Sequence, residues 1–269
     1  MKRSTLIFVL TFVVIPFSFA QIKPFEEKNT FITCTYRLTY KPDSLSKDKK
    51  SELMILTIGN NLSKFESQYS QKSDSIIASP SFNQSSIDLL STYIKTDFTY
   101  QIYKLYPQKV IKYYDKLGQK LYQVNQNYNS TTWQLTATTK PFAGYTCRKA
   151  TTLFAGRKWE AWFTTEVPVS DGPYKFMGLP GLIIEIYDID KDYNFSLLQL
   201  KKTTSLNTIK LPNNTPTTDQ SSYNKGKADY RLQGVTKVAT NGNSPEVARQ
   251  LIENYKLKQL HKNNPLEIK

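Results

Sequence analysis

The chain has 269 residues, 39% hydrophobic, 13% aromatic and 22% charged, which provides for a packed core and argues against a disordered chain or a small stapled scaffold. Tyr (18) and Phe (14) far outnumber Met (3), and aromatic residues favour strands, which argues against an all-helical fold. The formal charge of +14 is spread along scattered lysines, the densest run being Lys47, Lys49 and Lys50 beside Asp48 and Glu52; with no Arg-rich arm, zinc-finger spacing or RNP-type strand, nucleic acid is not an expected partner.

Residues 1–20 read as a secretory signal, with Lys2 and Arg3 before an apolar run over 6–17 and Ser18-Phe19-Ala20 as the small-x-small cleavage site. That run is shorter than the roughly 20 residues that span a bilayer, and Pro16 interrupts its end. No Cys follows the cleavage site and no later segment has transmembrane character. The expectation is an exported protein, periplasmic or secreted and not a lipoprotein, with one domain over 21–269.

Within that domain, 31–40 alternates, with Tyr36, Leu38 and Tyr40 on one face and Arg37 and Thr39 on the other, which predicts a strand. An exposed connection over 41–51 leads to an apolar strand at 53–58, ended by Gly59-Asn60-Asn61. Residues 62–69 suit a further strand, although Leu62, Phe65 and Tyr69 also fit helical spacing, and 79–91 is a polar break with a helical turn at 87–90. From Phe98 the pattern is strand, break at Pro107, strand, turn at Asp115-Lys116-Leu117-Gly118, strand: an antiparallel meander. A strand at 133–138, a turn at Lys140-Pro141-Phe142-Ala143-Gly144 and a hairpin around Ala155-Gly156-Arg157 follow. On the hairpin's second arm Trp159, Ala161 and Phe163 share one face and Glu160, Trp162 and Thr164 the other, with either face able to be the inner one. A third hairpin joins 182–187 to 195–200, then 203–234 reads as an irregular polar excursion. A helix closes the chain over about 244–261, with Ser244 as N-cap, Pro245 at N1, Glu246 in the first turn and Val247, Leu251, Ile252, Tyr255 and Leu257 as its apolar stripe. The predicted fold is mainly β: a single domain with a large curved antiparallel sheet, a half-barrel-like meander of hairpins, and a C-terminal helix available to cover it.

Cys34 and Cys147 are expected to pair as a disulfide in an oxidising compartment. With one histidine, His261, and two separated cysteines, a zinc site of the usual ligands cannot be assembled, and no metal or other cofactor is expected. No G-x-S-x-G elbow exists for a serine triad. A carboxylate-pair hydrolase using Glu160, Glu166, Asp171 or Glu185 leaves no short motif and stays open as an alternative.

Gly178-Leu179-Pro180-Gly181-Leu182-Ile183 spells the signature of the GLPGLI family of exported Bacteroidetes proteins, which the chain resembles. The resemblance extends to 144–151, 156–163, 167–173 and 264–267 and is densest over 133–188. It implies an exported β-rich protein and supplies no catalytic residues. The motif's own chemistry suits a tight buried crossing into the next strand: Gly178 and Gly181 for backbone freedom, Pro180 to fix a dihedral, Leu179 and Leu182 as plugs. It lacks the lysine and hydroxyl of a P-loop and the glycine spacing of a dinucleotide fold.

The functional expectation is a non-catalytic binding or carrier protein for an apolar or amphipathic ligand, with Trp159, Trp162, Tyr174 and Phe176 as the candidate ligand contacts. The alternatives are an envelope protein that docks an outer-membrane partner and the carboxylate-dependent hydrolase. The expected partner is thus a hydrophobic small molecule or an envelope protein.

Overall fold

The computed structural model of the chain describes residues 26–27, 30–93, 96–126, 131–202 and 209–268. The secretory signal expected at 1–20 lies outside the described residues. In chain order the elements are β1 (Glu26–Glu27), β2 (Thr30–Tyr40), β3 (Lys50–Gly59), β4 (Leu62–Ser67), α1 (Gln68–Ile77), α2 (Gln84–Tyr93), β5 (Gln101–Leu105), β6 (Val110–Leu117) and β7 (Lys120–Asn125). There follow β8 (Gln134–Phe142), β9 (Tyr145–Phe154), β10 (Arg157–Thr164), β11 (Leu182–Asp188), β12 (Tyr193–Lys202), β13 (Ile209–Lys210), β14 (Thr217–Asp219), α3 (Gln220–Thr240) and α4 (Pro245–Leu260). None of the described helices is long and apolar enough to cross a membrane.

Twelve strands form one mixed sheet in the order β14-β7-β6-β5-β4-β3-β2-β12-β11-β10-β9-β8, antiparallel throughout except for the short β14–β7 pair. Two consecutive meanders, β2 to β7 and β8 to β12, meet where β2 pairs with β12, from Tyr193 opposite Tyr40 to Lys202 opposite Ile32. Their hairpins follow from turn chemistry. Ala143-Gly144 and Ala155-Gly156 both take positive φ (50° and 84°, 49° and 82°), the two-residue type I′ pattern that matches strand twist. The turn expected at 140–144 is therefore only its last two residues, and Lys140, Pro141 and Phe142 extend β8. Pro141 is tolerated because β8 is an edge strand, where a missing N–H breaks no inner ladder.

One face of the sheet carries Cys34, Tyr36, Leu38, Leu56, Phe65, Ile102, Trp159, Ala161, Phe163, Ile186 and Phe195, all buried in a single core. The segment between β10 and β11 shows how strongly the sheet is curled. Lys175 Nζ lies 5.1 Å from the Tyr113 ring of β6, and the next residue, Phe176, stacks 4.8 Å from Trp159 of β10. Those strands are seven steps apart in the sheet, about 33 Å measured along it. Two neighbouring residues can reach both only if the sheet bends round them. The curved sheet is open in its hydrogen bonding, and the chain's own segment 165–181 fills the face it encloses.

The helices depart from expectation in four places, the first being 79–91, where the expected single turn at 87–90 is the ten-residue helix α2. Residues 62–69 are strand and helix in succession: Ser67 ends β4 and caps α1, its Oγ accepting from the amides of Tyr69 (3.1 Å) and Ser70 (3.4 Å). Within the excursion expected at 203–234, residues 211–216 are irregular as expected, but β13, β14 and the long helix α3 are regular, α3 being capped by Asp219, whose Oδ1 accepts from Ser222 N at 2.9 Å. Residues 203–208 lie outside the described residues. α3 packs on β6 and β7, where Tyr223 donates to Lys116 O at 2.9 Å and Lys227 pairs with Asp115 at 2.6 Å. The predicted closing helix is α4, but it packs on α3 and not over the sheet. The tail behind it does reach the core, through Leu266.

The disulfide expected between Cys34 and Cys147 is absent: both are free and buried. Register explains why. Ala150 faces Ala161 on the core side, so Cys147, three residues earlier on β9, points to the other face, beside Lys140. Cys34 lies on the core face of β2, four strands away. A disulfide requires Cα atoms within about 7 Å and Cβ vectors that converge. Burial raises both thiol pKa values, that of Cys147 to about 11, so neither is an activated nucleophile.

Candidate functional site

The crossing segment is held by its own backbone before any side chain is counted. Val169 N and Asp171 N donate to Val167 O (2.7 Å) and Val169 O (2.8 Å), and Leu182 N and Ile183 N return to Val167 O (3.0 Å) and Asp171 O (2.9 Å). Two glycines permit the close approaches. A Cβ on Gly172 would sit 2.7 Å from the Ile183 side chain, and one on Gly181 only 2.0 Å from Thr164 O. The motif is thus a crossing into β11 in which Leu179, Gly181, Leu182 and Ile183 are buried, while Gly178 and Pro180 are exposed.

Side chains then fasten the segment to both halves of the sheet. From β5, fully buried Lys104 pairs with fully buried Asp171 and donates to Gly172 O at 2.5 Å and Phe176 O at 3.3 Å. Tyr106 donates to the other Asp171 oxygen at 2.6 Å. Burial holds the Lys104 pKa below the usual lysine range, against the opposing pull of the Asp171 carboxylate. Tyr36 of β2 donates to Ile183 O at 2.6 Å, and Tyr174 and Lys175 both bond Glu267 of the C-terminal tail. A second buried group anchors that tail: Arg157 pairs with Asp188 at 2.6 Å, donates to Asn264 Oδ1 and to Pro265 O (2.8 Å), and lies 5.1 Å from the Tyr193 ring.

At one end of the filled face the packing leaves a cleft of about 650 Å³. The β3–β4 hairpin supplies Ile58, Gly59 and Asn60, β2 supplies Ile32, and the β5–β6 turn supplies Tyr106 and Lys109. The opposite wall is the crossing segment: Pro168, Val169, Ser170, Met177 and Gly178. Trp133 steadies that wall by donating from Nε1 to Met177 O at 2.9 Å. The floor is apolar, Lys109 is the one charged side chain among the described lining residues, and the volume falls in the range of small-molecule sites.

None of the four predicted contact residues lines this cleft, and Trp159 lines a separate cavity of about 530 Å³ with Leu153, Lys158 and Ile189. Trp159, Tyr174 and Phe176 form one buried aromatic cluster, with ring centroids 4.8 Å (Trp159–Phe176) and 6.3 Å (Tyr174–Phe176) apart. The chain's own rings occupy the enclosed face. Trp162 lies on the opposite face, its indole 4.2 Å from Lys140 Nζ and its Nε1 donating to Glu160 at 3.1 Å. Glu160 and Glu185 share the outer face of β10 and β11 beside Trp162, but each of the four candidate carboxylates has its own partner. Glu160 pairs with Lys149 (3.5 Å), Glu185 with Lys140 (2.9 Å) and Asp171 with Lys104, while Glu166 accepts from Thr146 N (2.7 Å). His261 lies at 2.7 Å from Asp43, away from all four. Among the described residues, no group of three His, Cys, Asp or Glu side chains is placed to hold a metal ion. The residues missed by pattern reading are Lys104 and Arg157. A lysine inside the apolar run Ile102-Tyr103-Lys104-Leu105-Tyr106 was the available signal, since a charge there must find a partner.

A family model described as "Protein of unknown function (Porph_ging)" matches residues 155–185, which run from the β9–β10 turn through the crossing segment into β11. No curated protein matches the chain. Two solved structures of PNGF-II are similar, in the P21 and C2 space groups, with TM-scores of 0.53 and 0.54 and 13% identity each. The match covers 75% of this chain and 34% and 33% of those, so this chain spans about a third of their length. At that identity the likeness is one of fold.

Proposed function

We propose that this chain is an exported protein of the GLPGLI type, a non-catalytic binding or carrier protein that holds an apolar or amphipathic ligand in the cleft between the β3–β4 hairpin and the crossing segment. The observation that carries the reading is the cleft: Ile32, Ile58, Pro168, Val169 and Met177 give it an apolar lining, and its volume is of ligand size. The motif supports it by doing two things at once, locking Leu179, Leu182 and Ile183 into the core and presenting Gly178, next to Met177, as wall. Secretion into the periplasm or beyond rests on the signal-like residues 1–20.

Mass spectrometry of an organic extract, taken from protein purified out of an exporting host without detergent, tests the reading. One hydrophobic species near one molecule per chain is expected. An extract with none above the level of a control protein would contradict it.

A further inference from the structure

The most deeply buried charges of the described chain serve no purpose in the cleft. Lys104 and Asp171 have no exposed side-chain surface and sit in the core beside Cys34 and Tyr36. Lys104 Nζ touches Oδ1 of Asp171, with Gly172 O and Phe176 O as its further acceptors. The carboxyl takes two further donors, Gly172 N on the same Oδ1 (2.7 Å) and the Tyr106 hydroxyl on Oδ2 (2.6 Å).

Removing two ions from water carries a heavy desolvation cost, and a neutral amide between them leaves no charge to desolvate, only polar groups that need hydrogen-bond partners. Burial also depresses the lysine pKa, which favours the nucleophilic amine. Holding amine and carboxyl in contact gives the intramolecular reaction a large effective concentration. The donors are disposed as a condensation needs. The Gly172 amide faces the oxygen that gathers charge in a tetrahedral intermediate, and the Tyr106 hydroxyl faces the oxygen that must leave.

We propose that Lys104 and Asp171 condense into an intramolecular isopeptide bond that fastens β5 to the crossing segment. Lys104 Nζ attacks Cγ of Asp171, the Nζ–Cγ bond forms and the Cγ–Oδ2 bond breaks. Two of the three ammonium protons leave with Oδ2 as water, and the third stays on the amide nitrogen. Ammonium and carboxylate become one neutral amide, with no oxidant or reductant consumed. The link would join the two meanders covalently, a role that the unpaired Cys34 and Cys147 do not fill.

Intact mass of the full chain, denatured and reduced, tests this. The expected mass is one water below that of the sequence, and proteolysis is expected to release a branched peptide joining Lys104 to Asp171. Asp171-Gly172 is also a sequence that can close to a succinimide with the same loss of water, so Lys104→Gln is the discriminating variant. The proposal requires the water loss to vanish in Lys104→Gln. A wild-type chain at full mass overturns it, and so does a water loss that persists in the variant. Should Lys104→Gln fail to fold, fragmentation of the wild-type peptides decides alone: a linear Asp171 peptide contradicts the link.

Discussion

Gly181→Ala is expected to destabilise the fold by about 4 kcal/mol or more, the extreme of the range for single substitutions. The added Cβ would lie 2.0 Å from Thr164 O, 2.7 Å from Thr164 C and 3.1 Å from Thr165 Cα, all backbone atoms at the end of β10. Backbone cannot rotate aside as a side chain can, so either β10 loses its register with β11 or the crossing segment lifts from the core. Gly234→Ala is the matched control. It sits inside α3 with open space around its Cβ, and the substitution is expected to stabilise by roughly 0.5–1 kcal/mol. Urea unfolding of both variants checks the pair. A Gly181→Ala midpoint close to that of the wild type would mean that the motif's second glycine is not needed for close approach.

Arg157→Met is expected to cost about 3–5 kcal/mol, the usual consequence of removing one partner from a buried ion pair. Asp188, 1% exposed, would be left without its guanidinium, and Asn264 and Pro265 would lose a shared donor. The loss should be visible at the C-terminus, because Leu266 is buried and Ile268 N donates to Ala155 O at 2.9 Å. Protease cleavage near 264–268 is expected to quicken in the native variant. Arg157→Met combined with Asp188→Leu is expected to lie closer to the wild type but short of it, since the Asp188 charge goes with its partner and Asp192, 3.7 Å from Arg157, keeps Lys41, while Tyr193 N loses its Asp188 acceptor. Arg157→Lys is expected to remain defective, because a point charge cannot serve Asp188, Asn264 and Pro265 together as the planar fork does. A loss below about 1 kcal/mol for Arg157→Met would place the pair among weak surface contacts.

These two sites also mark where sequence reading succeeds and where it stops. Alternation at Tyr36, Leu38 and Tyr40 was enough to predict β2, and Ala155-Gly156 to predict a hairpin, because strand period and turn chemistry are local. The crossing at Gly178-Leu179-Pro180-Gly181 was legible for the same reason: glycine and proline state what the backbone does. What touches that crossing was not legible. Lys104 precedes Asp171 by 67 positions, and no local pattern announces that β5 and the segment meet inside a curled sheet. α3 was hidden by composition, since Ser221, Ser222, Asn224, Gly226 and Gly234 read as loop while tertiary contacts of Tyr223 and Lys227 hold the helix. The predicted aromatic contacts and the cleft lie in different places. Trp159, Tyr174 and Phe176 do gather on the enclosed face, but there they pack on one another, and the cleft is walled instead by Ile58, Val169 and Met177, which carry no distinguishing pattern.

The central claim is that this cleft binds an apolar or amphipathic molecule. Its most direct test is a titration of the full chain with an environment-sensitive fluorophore, anilinonaphthalene sulfonate, across three proteins: wild type, Val169→Trp and Leu45→Trp. Val169 lines the cleft, so a Trp there fills it, whereas Leu45 is 89% exposed in the β2–β3 connection, at the opposite end of those strands from Ile32 and Ile58. Saturable one-site binding by the wild type and Leu45→Trp, weakened at least about tenfold in Val169→Trp, is the predicted result. Equal binding by all three proteins, or none by the wild type, would contradict the claim.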